Sequence, residues 1–559
     1  MNWRKILFRL HGWLGLNIGL LLFVVCFSGS FATLSHEIDW LLNPAMRSET
    51  RNEPYNWTAM YDAVTNAFPG GVISGIYAPV GHGFAALAYV SFTNGQSRKA
   101  YLDPYTGALQ GHTNFFTVQR FFRTFHRRFF DGKRGIVIVT LTAFILLVSG
   151  LSGFCFYRGW LKQLFSLRTD RGPRRLWSDL HKTTGIWTLL FSLLIAFTGV
   201  FYFIEVCFQT ANNYKALLPP PLPKIDKRSL GTYGPQPRLR SPNEYADLAR
   251  EAFPGLEIRS VRMPTRVGSP VYFDGQAGNP LIRDRANKVL LHPFTDEVIA
   301  TQHGSDLAFV PFITDLVNPL HFGYFGGIGT KILWCVFGVA LSFSILVGTY
   351  LWVVRTLPRR NAGGGHVFPW LRGVTVSFTL TLAYFVVVLF STVEGIQKYG
   401  KQDPPPFVLT EQPVGPYQLR VSCATPCDPK KGMKISARFL GEGLPNYKQV
   451  SVGELEGESV TMKGVAVAPV ATLKAEPGAA LQLRITMWDD STYEAIFPGP
   501  DVIQDPQMPY SPWPDIPTGV WGTISIFTAL TLGAIIGWFN FILRVAGSGH
   551  RRSLELRLI

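Results

Sequence analysis

Charge is scarce in this 559-residue sequence. Asp, Glu, Lys and Arg together make up 16% of it, where an ordinary soluble protein carries about 25%. That shortage excludes a disordered chain and a typical cytosolic protein. Acids are scarcer than bases, 37 against 53, which gives a formal net charge of +16. The basic excess does not mark a nucleic-acid binder, because it lies beside apolar blocks and no nucleic-acid-binding motif accompanies it. A Gly-rich nucleotide fingerprint is also missing. Cysteine and histidine are rare, at six and 11 residues, so the position of each carries weight. What is abundant is apolar: 47% of residues are hydrophobic and 14% aromatic.

The apolar residues fall into blocks at 12–34, 135–157, 183–208, 328–354, 372–393 and 519–543, each close to the length of about 20 residues that crosses a hydrocarbon layer. The expected fold class is an α-helical polytopic membrane protein with about six transmembrane helices. Arg4, Lys5 and Arg9 precede the first block. Arg158, Lys162, Arg168, Arg171, Arg174 and Arg175 fill the short second connection, Arg355, Arg359, Arg360 and Arg372 the fourth, and Arg544, Arg551, Arg552 and Arg557 follow the last block. Short basic loops stay in the cytoplasm, so both termini are expected there, with the three long connections outside. The first block is expected to be retained rather than cleaved as a signal peptide, because its leading residues belong to an internal repeat.

That repeat is parallel. A shift of 170 places Leu10 on Leu180, His11 on His181, Gly15 on Gly185, Phe27 on Phe197 and Gly29 on Gly199. A shift of 195 places His126 on His321, Gly132 on Gly327, Leu146 on Leu341, Ser149 on Ser344 and Gly153 on Gly348. The outside segments correspond too, Ala67-Phe68-Pro69-Gly70 with Ala252-Phe253-Pro254-Gly255, and Asp103-Pro104-Tyr105-Thr106 with His292-Pro293-Phe294-Thr295. Each half reads as helix, small outside domain, helix, inserted in the same sense, so a pseudo-twofold axis along the membrane normal is expected. Each outside module opens with a helix (57–67 and 242–252) that stops at Phe-Pro-Gly, followed by alternating strands, and is read as a small α+β domain. The third outside segment, 395–517, has no repeat partner. Its strand-like runs between Gly and Pro suggest a β-sandwich.

The chemistry appears at histidine. Four of the 11 occupy repeat-equivalent positions, His11 and His181 near the cytoplasmic face, His126 and His321 near the outer face, so the pseudo-symmetry opposes them in two pairs. Opposed neutral imidazoles in an apolar bundle are what a six-coordinate haem iron requires. Gly15 and Gly185, four residues after a His and on the same helix face, leave room for a flat macrocycle. Trp13, Phe23, Trp187 and Phe191 are candidates to line it. A proton relay or a non-haem metal are the other readings, although zinc would recruit further ligands that the repeats do not supply in register.

The Leu-His-x-x-x-Gly motifs at Leu10-His11 and Leu180-His181, the Phe-His and Leu-His pairs at His126 and His321, and the Asp-Pro-Tyr-Thr-Gly turn resemble the PepSY-associated transmembrane family over about 1–355. The best-understood branch is the FoxB-type di-haem ferric-siderophore reductases of the bacterial inner membrane. The resemblance implies two b-type haems ligated by His11, His181, His126 and His321, periplasmic PepSY-like domains, and electron transfer across the membrane to a ferric siderophore or other ferric chelate. His126 and His321 would then be the catalytic pair. Some relatives carry a fused flavin and nicotinamide reductase domain. This chain runs about 16 residues past its last apolar block without a nucleotide fingerprint, so the expected donor is membrane quinol or an external reductase. The expected organisation is 1–34, first transmembrane helix; 35–130, first periplasmic PepSY-like domain; 131–208, second and third helices with a cytoplasmic loop; 209–325, second PepSY-like domain; 326–394, fourth and fifth helices; 395–517, periplasmic β-rich insert; and 518–559, sixth helix and cytoplasmic tail.

Three smaller features complete the reading. The cluster Arg120, Arg123, Arg127, Arg128, Lys133 and Arg134 around His126 reads as a snorkelling belt or as partners of haem propionates or an anionic chelate, with Arg123, Arg127 and Arg128 the preferred propionate partners. His36 and Glu37, beyond the first helix, are either part of a substrate approach or polar caps. Cys423 and Cys427, in Cys-Ala-Thr-Pro-Cys, are expected to form a disulfide outside. A haem-free scaffold or inhibitor that binds periplasmic partners, a quinone-linked redox protein with another acceptor, and a transporter remain as alternatives. The fifth and sixth blocks carry no charge within their spans, which counts against transport.

Overall fold

The computed structural model describes residues 3–68, 71–92, 97–157, 164–165, 167–169, 172–226, 232–356, 369–400, 406–424, 427–441, 443–500 and 516–555. Several residues invoked above lie outside them: Pro69, Gly70, Arg158, Lys162, Arg171, Arg359, Arg360, Thr425, Pro426 and Arg557. Six helices are long and apolar enough to cross a membrane, and the chain is a polytopic membrane protein. Helix α1 (Trp3–Thr33) is followed by the short α2 (Ser35–Leu42). A first sheet module holds α3 (Trp57–Ala67), β1 (Val72–Tyr77), β2 (Ala86–Ser91), β3 (Ser97–Leu102) and β4 (Leu109–Thr113). Next come α4 (Val118–Arg128), α5 (Gly132–Phe156), α6 (Pro173–Trp187) and α7 (Leu189–Thr210). A second module repeats the order with α8 (Pro242–Ala252), β5 (Glu257–Arg262), β6 (Val271–Gln276), β7 (Asn287–Leu291) and β8 (Val298–Gln302), and leads to α9 (Phe309–Phe322) and α10 (Gly327–Thr356). Helix α11 (Pro369–Gly400) precedes the strands of the last domain, and α12 (Thr518–Glu555) follows them.

Helices α1, α5, α7 and α10 pack together, with α11 and α12 on the flank. Their outward faces stay apolar: Leu190, Leu389 and Phe390 are exposed, which suits a lipid solvent that gives no reason to bury them. One expectation about these helices needs correction. The 183–208 block is not one helix, because it is interrupted at Thr188, and His181 sits on the shorter α6. His126 and His321 do not begin the second and fourth spans. They occupy the last turns of separate helices, α4 and α9. The chain then reverses through a left-handed residue, Phe129 at φ 48° after α4 and Gly323 at φ 70° after α9, before the membrane helix starts. A bulky residue held in that region costs on the order of 1–3 kcal/mol, offset at Phe129 by complete burial.

The two modules share one eight-stranded antiparallel sheet in the order β4-β3-β2-β1-β5-β6-β7-β8. The central strands meet through Ile76↔Val261 and Tyr77↔Ser260. Helices α3 and α8 cap each other, since Thr58 N donates to Asn243 Oδ1 and Asn243 N donates to Thr58 Oγ1. Their apolar faces, including Trp57, Met60, Tyr245 and Ala249, cover the sheet in one core. The Asp103 turn closes as Asp103 Oδ1 accepts from Tyr105 N and Thr106 N. His292 Nδ1 plays the same part for Phe294 N and Thr295 N, which is why an imidazole can replace the carboxylate there.

The last domain is two antiparallel sheets around one core. One holds β9 (Phe407–Val414), β10 (Tyr417–Cys423), β11 (Met433–Leu440), β14 (Lys463–Val465) and β15 (Ala468–Leu473). The other holds β12 (Gln449–Glu454), β13 (Ser459–Thr461), β16 (Ala480–Thr486) and β17 (Thr492–Pro498). Cys423 and Cys427 are disulfide-bonded at a Cα–Cα distance of 5.7 Å. The domain docks on the irregular segment leading to α8, where Asn446 Nδ2 donates to Tyr233 O and Leu444 N donates to Pro237 O.

Candidate functional site

The bundle brings the four histidines together in two pairs. The imidazole centroids of His126 and His321 are 6.1 Å apart, and those of His11 and His181 are 6.2 Å apart. The pairs lie at different depths. His126 reaches α1 at Val25, 14 residues beyond His11, which at 1.5 Å per residue is about 21 Å along the helix.

Every one of the four rings is held by Nδ1. His11 Nδ1 meets Ser149 O at 3.0 Å, His126 Nδ1 meets Val25 O at 2.9 Å, and His181 Nδ1 meets Ser344 O at 2.9 Å. A carbonyl only accepts, so Nδ1 carries the proton in each. His321 Nδ1 meets Thr198 Oγ1 at 2.8 Å, and that hydroxyl donates to Leu194 O, which leaves its lone pair for the imidazole. The lone pair of each neutral ring therefore sits on Nε2. Partners of this kind fix the tautomer and orientation of metal-ligating histidines. Two opposed metal–nitrogen bonds of about 2 Å, plus about 1.1 Å from each nitrogen to its ring centre, put imidazole centroids about 6.2 Å apart. Both pairs fit an iron held between two imidazoles. Among the described residues no three His, Cys, Asp or Glu side chains gather as they would around zinc.

Space accompanies each pair. A cavity of about 450 Å³ surrounds His126 and His321, and one of about 240 Å³ surrounds His11 and His181. Leu22, Leu146 and Leu341 line both and form the partition between them. Gly15 and Gly185 line the smaller cavity, with nothing closer than 4.0 Å to the position a Cβ would take. Other glycines touch the histidines directly. A Cβ on Gly29 would stand 2.8 Å from His126 Cε1, and one on Gly348 would stand 2.8 Å from His181 Cε1. The repeat matches of Gly29, Gly348, Ser149 and Ser344 were the sequence signal for these supports. Val25 carried no such mark.

Arg123, Arg127 and Arg128 line the larger cavity, and the Arg123 guanidinium lies 5.1 Å over the Phe322 ring. Lys133 and Arg134 do not line it, and Arg134 pairs instead with Asp131 at 2.8 Å. Of the four aromatic candidates only Phe191 faces a cavity. Trp13 and Trp187 are exposed, and Phe23 packs into a separate core cluster. His36 and Glu37 line neither cavity. Glu37 Oε1 accepts from Lys331 Nζ at 2.7 Å. Burial first, and then Lys331, Lys99 and Arg123, push the His36 imidazole down to about 3.

Fold and site define a class: a polytopic membrane protein with two half-buried histidine pairs and a shared β-sheet. Residues 8–355 match the family described as PepSY-associated TM region, and the chain belongs to that family. It is also 39% identical over 74 residues to an uncharacterized protein of Pseudomonas aeruginosa, a stretch that is 13% of this chain and 19% of that one. The chain thus spans about a fifth of the length of the curated relative it matches.

Proposed function

We propose that the chain is a di-haem oxidoreductase of the bacterial inner membrane that passes electrons to a periplasmic ferric chelate, in the manner of the ferric-siderophore reductases. The observation that carries this reading is the pair of imidazole sets, each ring Nδ1-anchored and each pair spaced for one iron. His11 and His181 would hold one b-type haem, and His126 and His321 the other. Bound haem supplies a one-electron couple. The protein supplies position: carbonyl anchors aim Nε2, glycines let helices approach the rings, and the leucine partition keeps two sites at two depths. Arg123 and Arg127, within one turn of His126, would pair with propionates. Each electron delivered reduces one Fe(III) of the chelate to Fe(II).

The basic flanks support cytoplasmic termini and a periplasmic sheet domain, and in this reading the His126 pair is the exit. The mirrored strand order supports an internal duplication. Purified protein tests the proposal. It should show low-spin b-haem bands and two haems per chain, and, once reduced anaerobically, should return to its oxidised spectrum with a ferric siderophore while a ferrous trap captures Fe(II). Protein without haem bands would leave a scaffold. Protein reoxidised by quinone but by no ferric chelate would be a different membrane redox enzyme.

A further inference from the structure

Lys99 is a buried cation of the first sheet module. It lies on β3, is 6% exposed, and its side chain lines the larger cavity from the sheet side. Burying an ammonium costs several kcal/mol unless an anion or acceptors compensate. Its three donors find one protein acceptor among the described residues, Thr117 Oγ1 at 3.3 Å. Asp39 is nearby, but its two carboxylate oxygens already accept from Val118 N and Gln119 N at the start of α4. Burial therefore holds the amine down to about 8, against the pull of Asp39.

The second module shows what a structural lysine at this place looks like. Lys99 pairs across β4 with Thr113 and across β2 with Tyr89. Lys288 pairs across β8 with Gln302 and across β6 with Asp274, so a carboxylate stands where Tyr89 stands for Lys99. The helices differ in the same sense. Arg120, Arg123 and Arg127 of α4 correspond at the shift of 195 to Asp315, Asn318 and Phe322 of α9. Around the larger cavity the Lys and Arg side chains come from Lys99 and α4, with Arg283 the one from the second module, and the Lys99 ammonium and the Arg120 guanidinium both lie over the Phe115 ring, at 5.8 and 5.5 Å. Thr117, which Lys99 touches, is nine residues and about 13 Å along α4 from His126, whereas Arg123 and Arg127 are within one turn of it. Haem carboxylates would be served by the near arginines. The far cation is left for a second anion.

We propose that Lys99 and Arg120, with Phe115 beneath them, form a seat for a carboxylate or phenolate oxygen of an anionic ferric chelate. It rests on the reductase reading for the identity of the ligand as an electron acceptor, and it deepens that reading by making the acceptor anionic. The sheet module is then part of the substrate site.

The test is equilibrium binding to the oxidised full-length haem protein at low ionic strength, with ferric citrate as the anionic probe and the neutral ferric maltol complex as control. Lys99→Met keeps the length and removes the charge, and Lys99→Arg keeps the charge. Losing one charge-assisted hydrogen bond should weaken ferric citrate binding about tenfold or more in Lys99→Met, with near-wild-type binding in Lys99→Arg and ferric maltol unaffected in both. The haem spectrum and content should not change. Wild-type affinity of Lys99→Met for ferric citrate would overturn the seat, as would equal loss for both probes. Loss of haem from Lys99→Met would assign the lysine to a propionate and overturn it too. If Lys99→Met loses citrate affinity while wild-type protein reduces no chelate, the seat stands and the reductase reading falls.

Discussion

Thr198 Oγ1 lies 2.8 Å from His321 Nδ1 while donating its own proton to Leu194 O. Three of the four histidines lean on a backbone carbonyl, which no substitution removes. His321 depends on a side chain. Thr198→Val should therefore weaken haem retention in the sheet-side site by about 10–100-fold, the usual cost of losing such a partner. The His11/His181 haem should stay in place, and Thr198→Ser should behave as wild type. Haem titration of the apo-protein followed at the Soret band separates these outcomes.

The contacts of Gly29 and Gly348 predict a matched pair of effects. A methyl group on either meets an imidazole edge at 2.8 Å, so the ring must tilt or the helices must part. Overpacking of this kind costs about 1–3 kcal/mol. Gly29→Ala should perturb only the low-spin electron paramagnetic resonance signal of the His126/His321 site, and Gly348→Ala only that of His11/His181. A single variant that alters both signals would contradict the separation by the Leu22, Leu146 and Leu341 partition.

These residues show where sequence reading succeeds and where it stops. Apolar blocks announce spans because hydrocarbon demands length and apolarity together, and the alternating runs after Pro406 announce strands for a similar reason. Histidine pairs could be proposed because two shifts put identical residues at equivalent depths. Lys99 has an identical counterpart in Lys288, so the repeat alone does not single it out. Its significance depends on which residue faces it across a sheet register, Tyr89 rather than a carboxylate. The separate helix that carries His126 was hidden as well, because it ends at Phe129 in a left-handed conformation that sequence patterns assign to glycine. Trp13 and Trp187 misled for a related reason: an aromatic near a membrane surface can face lipid as readily as a cofactor.

The disulfide between Cys423 and Cys427 closes a short loop at the end of β10. Chain entropy assigns such a loop about 2 kcal/mol. Double replacement by Ala should lower the thermal stability of the sandwich domain by that amount, while both haem signals persist. Loss of haem on reduction with a mild thiol would instead give the bridge a redox role.

Orientation can be checked without any cofactor. Single cysteines placed near Arg168 and near Gly432, in a background without native reactive thiols, should be labelled by an impermeant maleimide in intact spheroplasts only near Gly432. Labelling at Arg168 would invert the topology and move the proposed exit to the His11/His181 pair.

Burial depresses the Lys99 amine from about 10.4 in an unfolded chain to about 8 in the fold. The folded protein thus holds this proton less tightly than the unfolded chain does, so the contribution of Lys99 to folding stability increases as pH rises from about 8 to about 10. Anion binding runs the other way. Above pH 8 the ammonium becomes a neutral amine, and the seat keeps only the Arg120 guanidinium. Burial also raises the carboxyl of Asp39, whose two oxygens are held by Val118 N and Gln119 N. Ferric citrate affinity at low ionic strength should therefore be level between pH 6.5 and 7.5 and fall about tenfold by pH 9, one unit past the midpoint. Lys99→Arg should abolish that fall, because a guanidinium keeps its charge throughout. A fall that persists in Lys99→Arg would assign the titration to another group and remove Lys99 from the binding of the chelate.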